Sequence, residues 1–397
     1  MAVKTKIAIT IERIDIALGG AERSVFELAA ALSALNVDVT ILAAKGRTEM
    51  PNITILCDSL PGKRTLLGRF ARALRQHFAE HHYDIIHSVL PFDFAHVYQP
   101  RGGSYTETIL RNAASYENRI VALCKTATAP LNLHRTALLR AERDLCRNPR
   151  GPLVVAISHY VAMQFRRHYN LANDRIVTIP NGVALSSPAD SARARKLLTQ
   201  ILSQLPPRHR HSPILFLFVA NNFRLKGLAP LIKAFRTASI EKPNSPACLV
   251  VAGHGPSLKY RHLAKKLAVD DRIVFLGSLR SVQDALSITD VAVLPTFYDP
   301  ASRFILEALT AAKPVITTAF NGAADLFTDN RHGKVIDDPR NTSALARALN
   351  HFSDKANITA ASDAIIHDDL RQNIGIDRVA NQLMSLYESI LQKGKPK

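Results

Sequence analysis

Two carboxylates, Asp299 and Glu307, bracket the segment Pro300–Ala301–Ser302–Arg303–Phe304–Ile305–Leu306. If a helix begins near Ala301, Asp299 sits by its N-cap and Glu307 lies about two turns inside, near one face of the same cleft. One carboxylate can then hold sugar hydroxyls and the other a ribose diol. An Asp cap and a solvated helix Glu would explain the same spacing. Against solvation stands the apolar run around Glu307, Phe304–Ile305–Leu306 before it and Ala308–Leu309 after it, because a carboxylate buried there needs a partner.

Three glycine or cation-bearing turns accompany the acids. Gly19 and Gly20 open a helical pattern after the first strand pattern, where backbone can approach a phosphate or sugar and a helix N-terminus offers N–H groups. Asn221–Asn222–Phe223–Arg224–Leu225–Lys226–Gly227 puts two cations just past another strand pattern; Arg224 and Lys226 can neutralise a diphosphate and the charge that grows on a departing one. Gly253–His254–Gly255 again permits close approach. Taken singly, each of these is explained as well by a tight turn or by solvated cations.

The elements that must position these turns alternate regularly. β-branched runs at Ile7–Ile11, Val37–Ala43, Ile53–Leu56, Ile85–Val89, Val154–Ile157 and Arg175–Ile179 are separated by helical periodicity, beginning with Ala21–Leu35. A second series follows at Ile214–Ala220, Cys248–Ala252, Ile273–Leu276, Val291–Pro295 and Val315–Thr318. Two such series predict an α/β protein with two doubly wound parallel sheets, whose ligands bind beyond the carboxyl ends of the strands. After the turn Pro180–Asn181–Gly182, the breaker-rich stretch 184–213 sets the boundary. The expected division is 1–183 for an N-terminal acceptor-side domain, 184–374 for a C-terminal nucleotide-sugar domain, and 375–397 for a C-terminal helix, crossing back to the first domain, with a basic tail.

Composition narrows the function classes. The 397 residues are 47% hydrophobic and 21% charged, as in globular chains, which excludes a disordered or fibrous protein. Fifty-one Lys and Arg against 33 Asp and Glu leave a net charge of +18, which asks for an acidic partner: nucleic acid, anionic membrane or phosphorylated substrate. Cys57, Cys124, Cys146 and Cys248 form no Cys-x-x-Cys pair, which argues against a zinc site or disulfide framework and for a reducing compartment. The first residues, MAVKTKIAITIERIDI, lack the apolar run of a secretory signal, and nowhere do about 18 apolar residues run together. Membrane contact is therefore expected to be peripheral.

In their order, GGAER, FRLKG, AGHGP and FYDPASRFILEALTAAKPVITTAFNGAADL resemble the retaining family 4 glycosyltransferases of GT-B fold, over essentially the whole chain. The likeness is strongest to the lipopolysaccharide-core glucosyltransferase branch, whose members move glucose from UDP-glucose to a heptose of the lipid A core. It implies two Rossmann-like domains facing a central cleft. The family's glycine loop falls on Gly19 and Gly20, its diphosphate cations on Lys226 and Arg224, its sugar-contacting acid on Asp299 and its ribose-holding acid on Glu307. Backbone N–H groups from Ala301 through Ser302, Arg303 and Phe304 would meet the phosphates, and Asn222, Gly253 and Gly255 belong to the donor-binding turns. Asp299 stands where Glu is usual, and Ser302 replaces a common Gly. Where many members carry a His or Asp facing the sugar, this chain reads Tyr98–Gln99–Pro100–Arg101–Gly102–Gly103–Ser104, leaving Asp93, His96, Arg101 and Gly102 as acceptor-side candidates.

The mechanism implied is transfer with retention, in which the leaving diphosphate takes the acceptor's proton, so that stabilising the leaving group matters more than a protein base. No Asp-x-Asp occurs, and neither a metal nor another cofactor is expected. Residues 61–80 hold five Lys/Arg and one acid with an apolar stripe at Leu66, Leu67, Phe70, Leu74 and Phe78; residues 101–150 hold nine Lys/Arg and four acids. The 61–80 stripe is expected first to pack on the domain's own sheet with its cationic face outward, and the 101–150 stretch to meet an anionic membrane surface and an acidic glycolipid acceptor on its cytoplasmic face, with a UDP-sugar as the second partner. Nucleic acid is disfavoured: aromatic residues are only 6%, with no Trp, and no recognition motif appears. Another donor or acceptor, a sugar epimerase and a catalytically inactive GT-B scaffold are the remaining readings.

Overall fold

In the computed structural model, which describes residues 4–15, 20–57, 65–128, 131–185 and 188–394, the β-branched runs form two all-parallel sheets. The first is built from β1 (Lys6–Arg13), β2 (Asp38–Lys45), β3 (Ile53–Ile55), β4 (Ile85–Ser88), β5 (Val97–Tyr98), β6 (Leu153–Ala156) and β7 (Ile176–Thr178), in the order β3-β2-β1-β4-β5-β6-β7. The second comprises β8 (Ile214–Val219), β9 (Ala247–Ala252), β10 (Ile273–Gly277), β11 (Val291–Leu294), β12 (Val315–Thr318) and β13 (Gly333–Ile336), in the order β10-β9-β8-β11-β12-β13. Continuous apolar runs such as ILFLFV in β8 and ACLVVA in β9 are buried because helices cover both faces of the sheet. In each sheet the strand order reverses once, between β1 and β4 and between β8 and β11, and a doubly wound sheet opens its ligand crevice there.

The helices of the first series are α1 (Gly20–Ala34), α2 (Leu67–Glu80), α3 (Tyr105–Ala114), α4 (Arg119–Ala127), α5 (Leu133–Arg147) and α6 (His159–Tyr169). Those of the second are α7 (Ser191–Gln204), α8 (Leu228–Glu241), α9 (Leu258–Lys266), α10 (Val282–Ile288), α11 (Arg303–Thr310), α12 (Thr342–His351), α13 (Lys355–His367) and α14 (Leu370–Asn373), and the chain ends in α15 (Ile376–Gly394). One compact unit takes in the chain up to Ala113, Asn118–Ala184 and everything from Gly375; the other takes in Ala114–Glu117 and Leu185–Ile374. The helix of the 375–397 segment thus belongs to the first unit, where Val379, Ala380, Leu383 and Tyr387 share a core with Ile7, Ile9, Val25 and Leu28. Ala114–Glu117, the last residue of α3 and the three that follow it, group with the second unit, a detail that the division drawn at residue 183 leaves out.

The stripe read in residues 61–80 is largely internal: Phe70 and Leu74 of α2 are buried and pack with Phe92 and Leu138, whereas Leu66 is exposed. The stretch 101–150 is tied in through α5. Its Glu142, fully buried, accepts hydrogen bonds from Tyr98 Oη at 2.7 Å, Tyr169 Oη at 2.6 Å and Tyr105 N at 2.8 Å. Burial nevertheless raises its pKa to about 7. By contrast α4 has no buried residue. Among the described residues no helix is long and apolar enough to cross a membrane.

His87, at the end of β4, is fully buried and shares a 2.6 Å hydrogen bond with the Tyr387 hydroxyl of α15. Burial, reinforced by the Arg101 charge, lowers its pKa to about 3 from an ordinary 6.5. Protonation of His87 therefore favours the unfolded chain. Its contribution to stability is complete above pH 6.5 and falls by up to about 1.4 kcal/mol per pH unit as pH drops toward 3. Glu142 has the opposite sign: its raised pKa makes stability fall as pH rises from about 4.5 to 7. Thermal unfolding between pH 4.5 and 6.5 should show the His87→Gln variant losing less stability on acidification than the wild type, and Glu142→Gln losing more. Parallel curves for all three proteins would contradict this assignment.

Candidate active site

The second unit assembles the acid and cation turns at its strand-order reversal. The turn after β8 is closed by Asn222, whose Oδ1 accepts from Leu225 N at 3.1 Å while its carbonyl accepts from Lys226 N at 3.0 Å. Gly227 ends the turn at φ +81°, and a Cβ there would lie 1.9 Å from the Pro295 carbonyl oxygen, so only glycine lets the loops after β8 and β11 approach this closely. Phe297 N and Thr296 Oγ1 donate to the Leu225 carbonyl at 2.9 and 3.2 Å, locking the two loops together. Across that junction Lys226 Nζ donates to Asp299 Oδ2 at 2.6 Å and to the Tyr298 carbonyl at 3.1 Å. Both side chains are partly buried, 21% and 15% exposed, and one of the three ammonium donors remains for an incoming oxygen.

Asp299 is not the helix cap that its spacing suggests. The helix α11 begins at Arg303 with Ser302 as N-cap, two residues later than expected, because Asn321 holds the preceding loop. Asn321, almost fully buried, accepts from Ser302 N and Ala323 N, each at 3.1 Å, and donates to Thr317 Oγ1 at 2.9 Å. The Ser302 amide, expected to face a phosphate, is thus engaged by Asn321 in this structure. Arg303 and Phe304 stand in the first turn of α11, where intrahelical acceptors are missing. Glu307 is 5% exposed, and the partner that its burial demands is Arg303 one turn earlier, at 3.1 Å.

Arg224 and Lys226 diverge. The Arg224 guanidinium lies 3.8 Å from the centre of the Tyr116 ring and donates to Ser115 Oγ, whereas Lys226 faces Asp299. Gly253 and Gly255 have a packing reason: a Cβ on Gly253 would meet the Ala220 carbonyl oxygen at 1.8 Å, and one on Gly255 the Phe223 ring at 2.3 Å. They let the turn after β9 press against the turn after β8.

In the first unit Gly20 is the first residue of α1 and exposed, while Gly19 lies outside the described residues. Arg101 is buried and donates to Ser24 Oγ and, at 3.1 Å, to Asn181 Oδ1. Asp93, exposed, pairs with Arg75 at 2.9 Å, Gly102 is exposed, and His96 Nδ1 accepts from Ile86 N at 2.9 Å. These acceptor-side candidates are not brought together: Arg101 points into a buried polar cluster and Asp93 into a surface ion pair. The sequence reading missed Asn321 as the hub of the acid loop and His87 beside Arg101. A polar His–Ser pair closing an apolar strand was the available signal for His87; nothing local marked Tyr116 as the seat of Arg224.

With that geometry in place, comparison with known proteins defines the class. Residues 18–187 match the model for Glycosyltransferase Family 4, and residues 204–364 the model for Glycosyl transferases group 1. The chain belongs to the family 4-type glycosyltransferases of GT-B fold. It is 28% identical over 190 residues to the lipopolysaccharide glucosyltransferase WaaG of Escherichia coli, a match spanning 47% of this chain and about half, 48%, of that enzyme. It is 25% identical to the D-inositol 3-phosphate glycosyltransferase of Streptomyces scabiei over 87% of this chain and 81% of that one. The WaaG crystal structure superposes with a TM-score of 0.73 at 19% identity, over 96% of this chain and 99% of WaaG. Anabaena HepE, solved with UDP and glucose, superposes with a TM-score of 0.69 at 16% identity, over 97% and 100%.

Because Gly227 has both a positive φ and a carbonyl against its missing Cβ, Gly227→Ala should destabilise the second unit by about 2 kcal/mol or more. Denaturant titration checks this; a cost within 0.5 kcal/mol, the usual range for an exposed site, would show that the loop junction is not rigid.

Proposed function

We propose that this enzyme is a retaining glycosyltransferase that moves a hexose, glucose from UDP-glucose, onto a bacterial surface glycolipid such as the heptose of lipopolysaccharide core. The observation that carries the donor half is the Lys226–Asp299 pair at the strand-order reversal, in the loop that leads into α11 with its buried Glu307. Lys226 neutralises the diphosphate, Asp299 orients the ammonium and contacts the sugar, and Glu307 accepts from the ribose hydroxyls once Arg303 shares it. The acceptor oxygen forms its bond to the anomeric carbon on the face that the diphosphate leaves, the bond to the diphosphate oxygen breaks, and that oxygen takes the acceptor's proton. Neither a metal nor another cofactor is required. HepE with bound UDP and glucose, and the glucosyltransferase named among the relatives, support a UDP-glucose donor.

The acceptor half rests on α4 and the start of α5. Ile120, Leu123, Leu131 and Leu133 are each more than 70% exposed, and Arg119, Lys125, Arg135, Arg140 and Arg143 lie among them. Apolar residues without a core, interleaved with cations, suit peripheral binding to the anionic cytoplasmic face of a cell membrane.

A panel of UDP-, GDP-, ADP- and TDP-sugars should give selective thermal stabilisation and slow hydrolysis with UDP-glucose, about 2.7 kcal/mol at one hundred times Kd, unchanged by EDTA. Lys226→Ala and Glu307→Ala should each lower kcat/KM by about 10²–10³ with the fold intact by circular dichroism. Stabilisation by no nucleotide sugar would reduce the protein to a scaffold, and EDTA-sensitive transfer would refute the metal-free mechanism. Replacing Arg135, Arg140 and Arg143 together by Glu should release the protein from anionic vesicles; retained binding would remove the membrane from this account.

A further inference from the structure

Beside the donor turns, the second unit contains a cavity of about 720 Å³ whose wall shares only Arg224 with the donor-site candidates. Its charged lining is Arg224, Lys233, Lys259 and Arg340 against one carboxylate, Glu117. Lys226, Asp299, Arg303 and Glu307 are not in its wall. Lys233 Nζ pairs with Glu117 at 2.8 Å, which offsets one cation. Arg340 lies 5.4 Å from the centre of the Phe297 ring, pairs with Asp338 at 3.7 Å and donates to the Ala114 carbonyl, and Lys259 Nζ lies 4.8 Å from the centre of the Tyr260 ring.

The backbone adds to the same field. Ala229 and Pro230 are in the first turn of α8, Lys259 and Tyr260 in that of α9, and Thr342 opens α12, all at this cavity. Neither Gly227 nor Ser257 caps its helix with a side chain. Helices that follow parallel strands start at the sheet's carboxyl edge, so three positive dipole ends and an excess of cations converge on one concavity. Tyr116 is the half-buried aromatic of the wall, Tyr260 and Phe297 lying buried beneath Lys259 and Arg340, and the volume falls in the range of small-molecule sites.

The geometry points to a binding site for a phosphate-bearing sugar in this cavity, in addition to the nucleotide-sugar donor. The phosphate meets Lys259, Arg340 and the helix ends, and the sugar ring lies beside Tyr116. The same phosphosugar chemistry occurs in free sugar phosphates and in the headgroups of phosphorylated glycolipids. This inference goes beyond the proposed transfer reaction and is read by binding alone, so failure of the donor assignment would leave it standing.

Calorimetric titration of the full chain with glucose 6-phosphate, with glucose, and with lipid A in detergent micelles tests it. Lys259→Ala/Arg340→Ala removes two exposed cations of the wall, and Lys265→Ala/Lys266→Ala removes the same charge from the last turn of α9. The expected result is binding of glucose 6-phosphate but not glucose, weakened roughly tenfold or more in the first variant only, with UDP-glucose affinity changed less than about twofold. Binding of lipid A micelles alone, with the same loss in the first variant, would assign the site to a lipid headgroup. Absence of binding by both phosphates, equal losses in the two variants, or equal binding of glucose and its phosphate would overturn the inference.

Discussion

The contact on which the second unit's loop arrangement, and the transfer proposed for it, depends is the 2.6 Å ion pair between Lys226 and Asp299. It joins the loop after β8 to the loop after β11, the two loops between which the strand order reverses. A cation held by a neighbouring carboxylate and a carbonyl keeps its position before a diphosphate arrives, so the cost of ordering it is met by folding rather than by binding. Its partial exposure leaves the ammonium accessible, so that in the proposed reaction a donor's phosphates take it over without leaving a charge buried alone. The glycine at 227, the Thr296 and Phe297 bonds to Leu225, and the Asn321 hub all serve to bring those loops within ion-pair distance.

The two units treat polar residues differently. In the second, polar side chains at strand ends hold loops and leave charges facing outward from the sheet edge. In the first, Glu142, His87 and Arg101 are drawn inside and bound by tyrosines, Ser24 and Asn181. Such a network specifies how α5, α6 and α15 seat on the sheet, because each buried polar atom tolerates few arrangements of its partners. The helices on either side of α4 are tied to the interior through Glu107 of α3 and Glu142 of α5, whereas α4 buries no residue.

Cations are distributed by what surrounds them more than by spacing along the chain. Arg224 and Lys226 are two residues apart, yet one stacks on Tyr116 and the other pairs with Asp299. A planar guanidinium can stack on the aromatic face beside it, and the ammonium two residues on reaches the carboxylate across the loop junction.

Much of this architecture was legible from residue order. Alternating β-branched and helical runs determined two doubly wound sheets, the apolar neighbours of Glu307 determined that its carboxylate is buried and partnered, and turn residues marked where the loops lie, since these depend on interactions a few residues long. Other features were decided only by the tertiary structure. Lys226 reaches Asp299 across 73 residues, Arg101 reaches Asn181 across 80, and His87 reaches Tyr387 across 300. Asp299 became an ion-pair partner instead of a cap because Asn321, 22 residues on, holds the loop that delays the helix. Those pairings follow from which strands are neighbours, and strand order is set by the packing of whole faces, which no local pattern encodes.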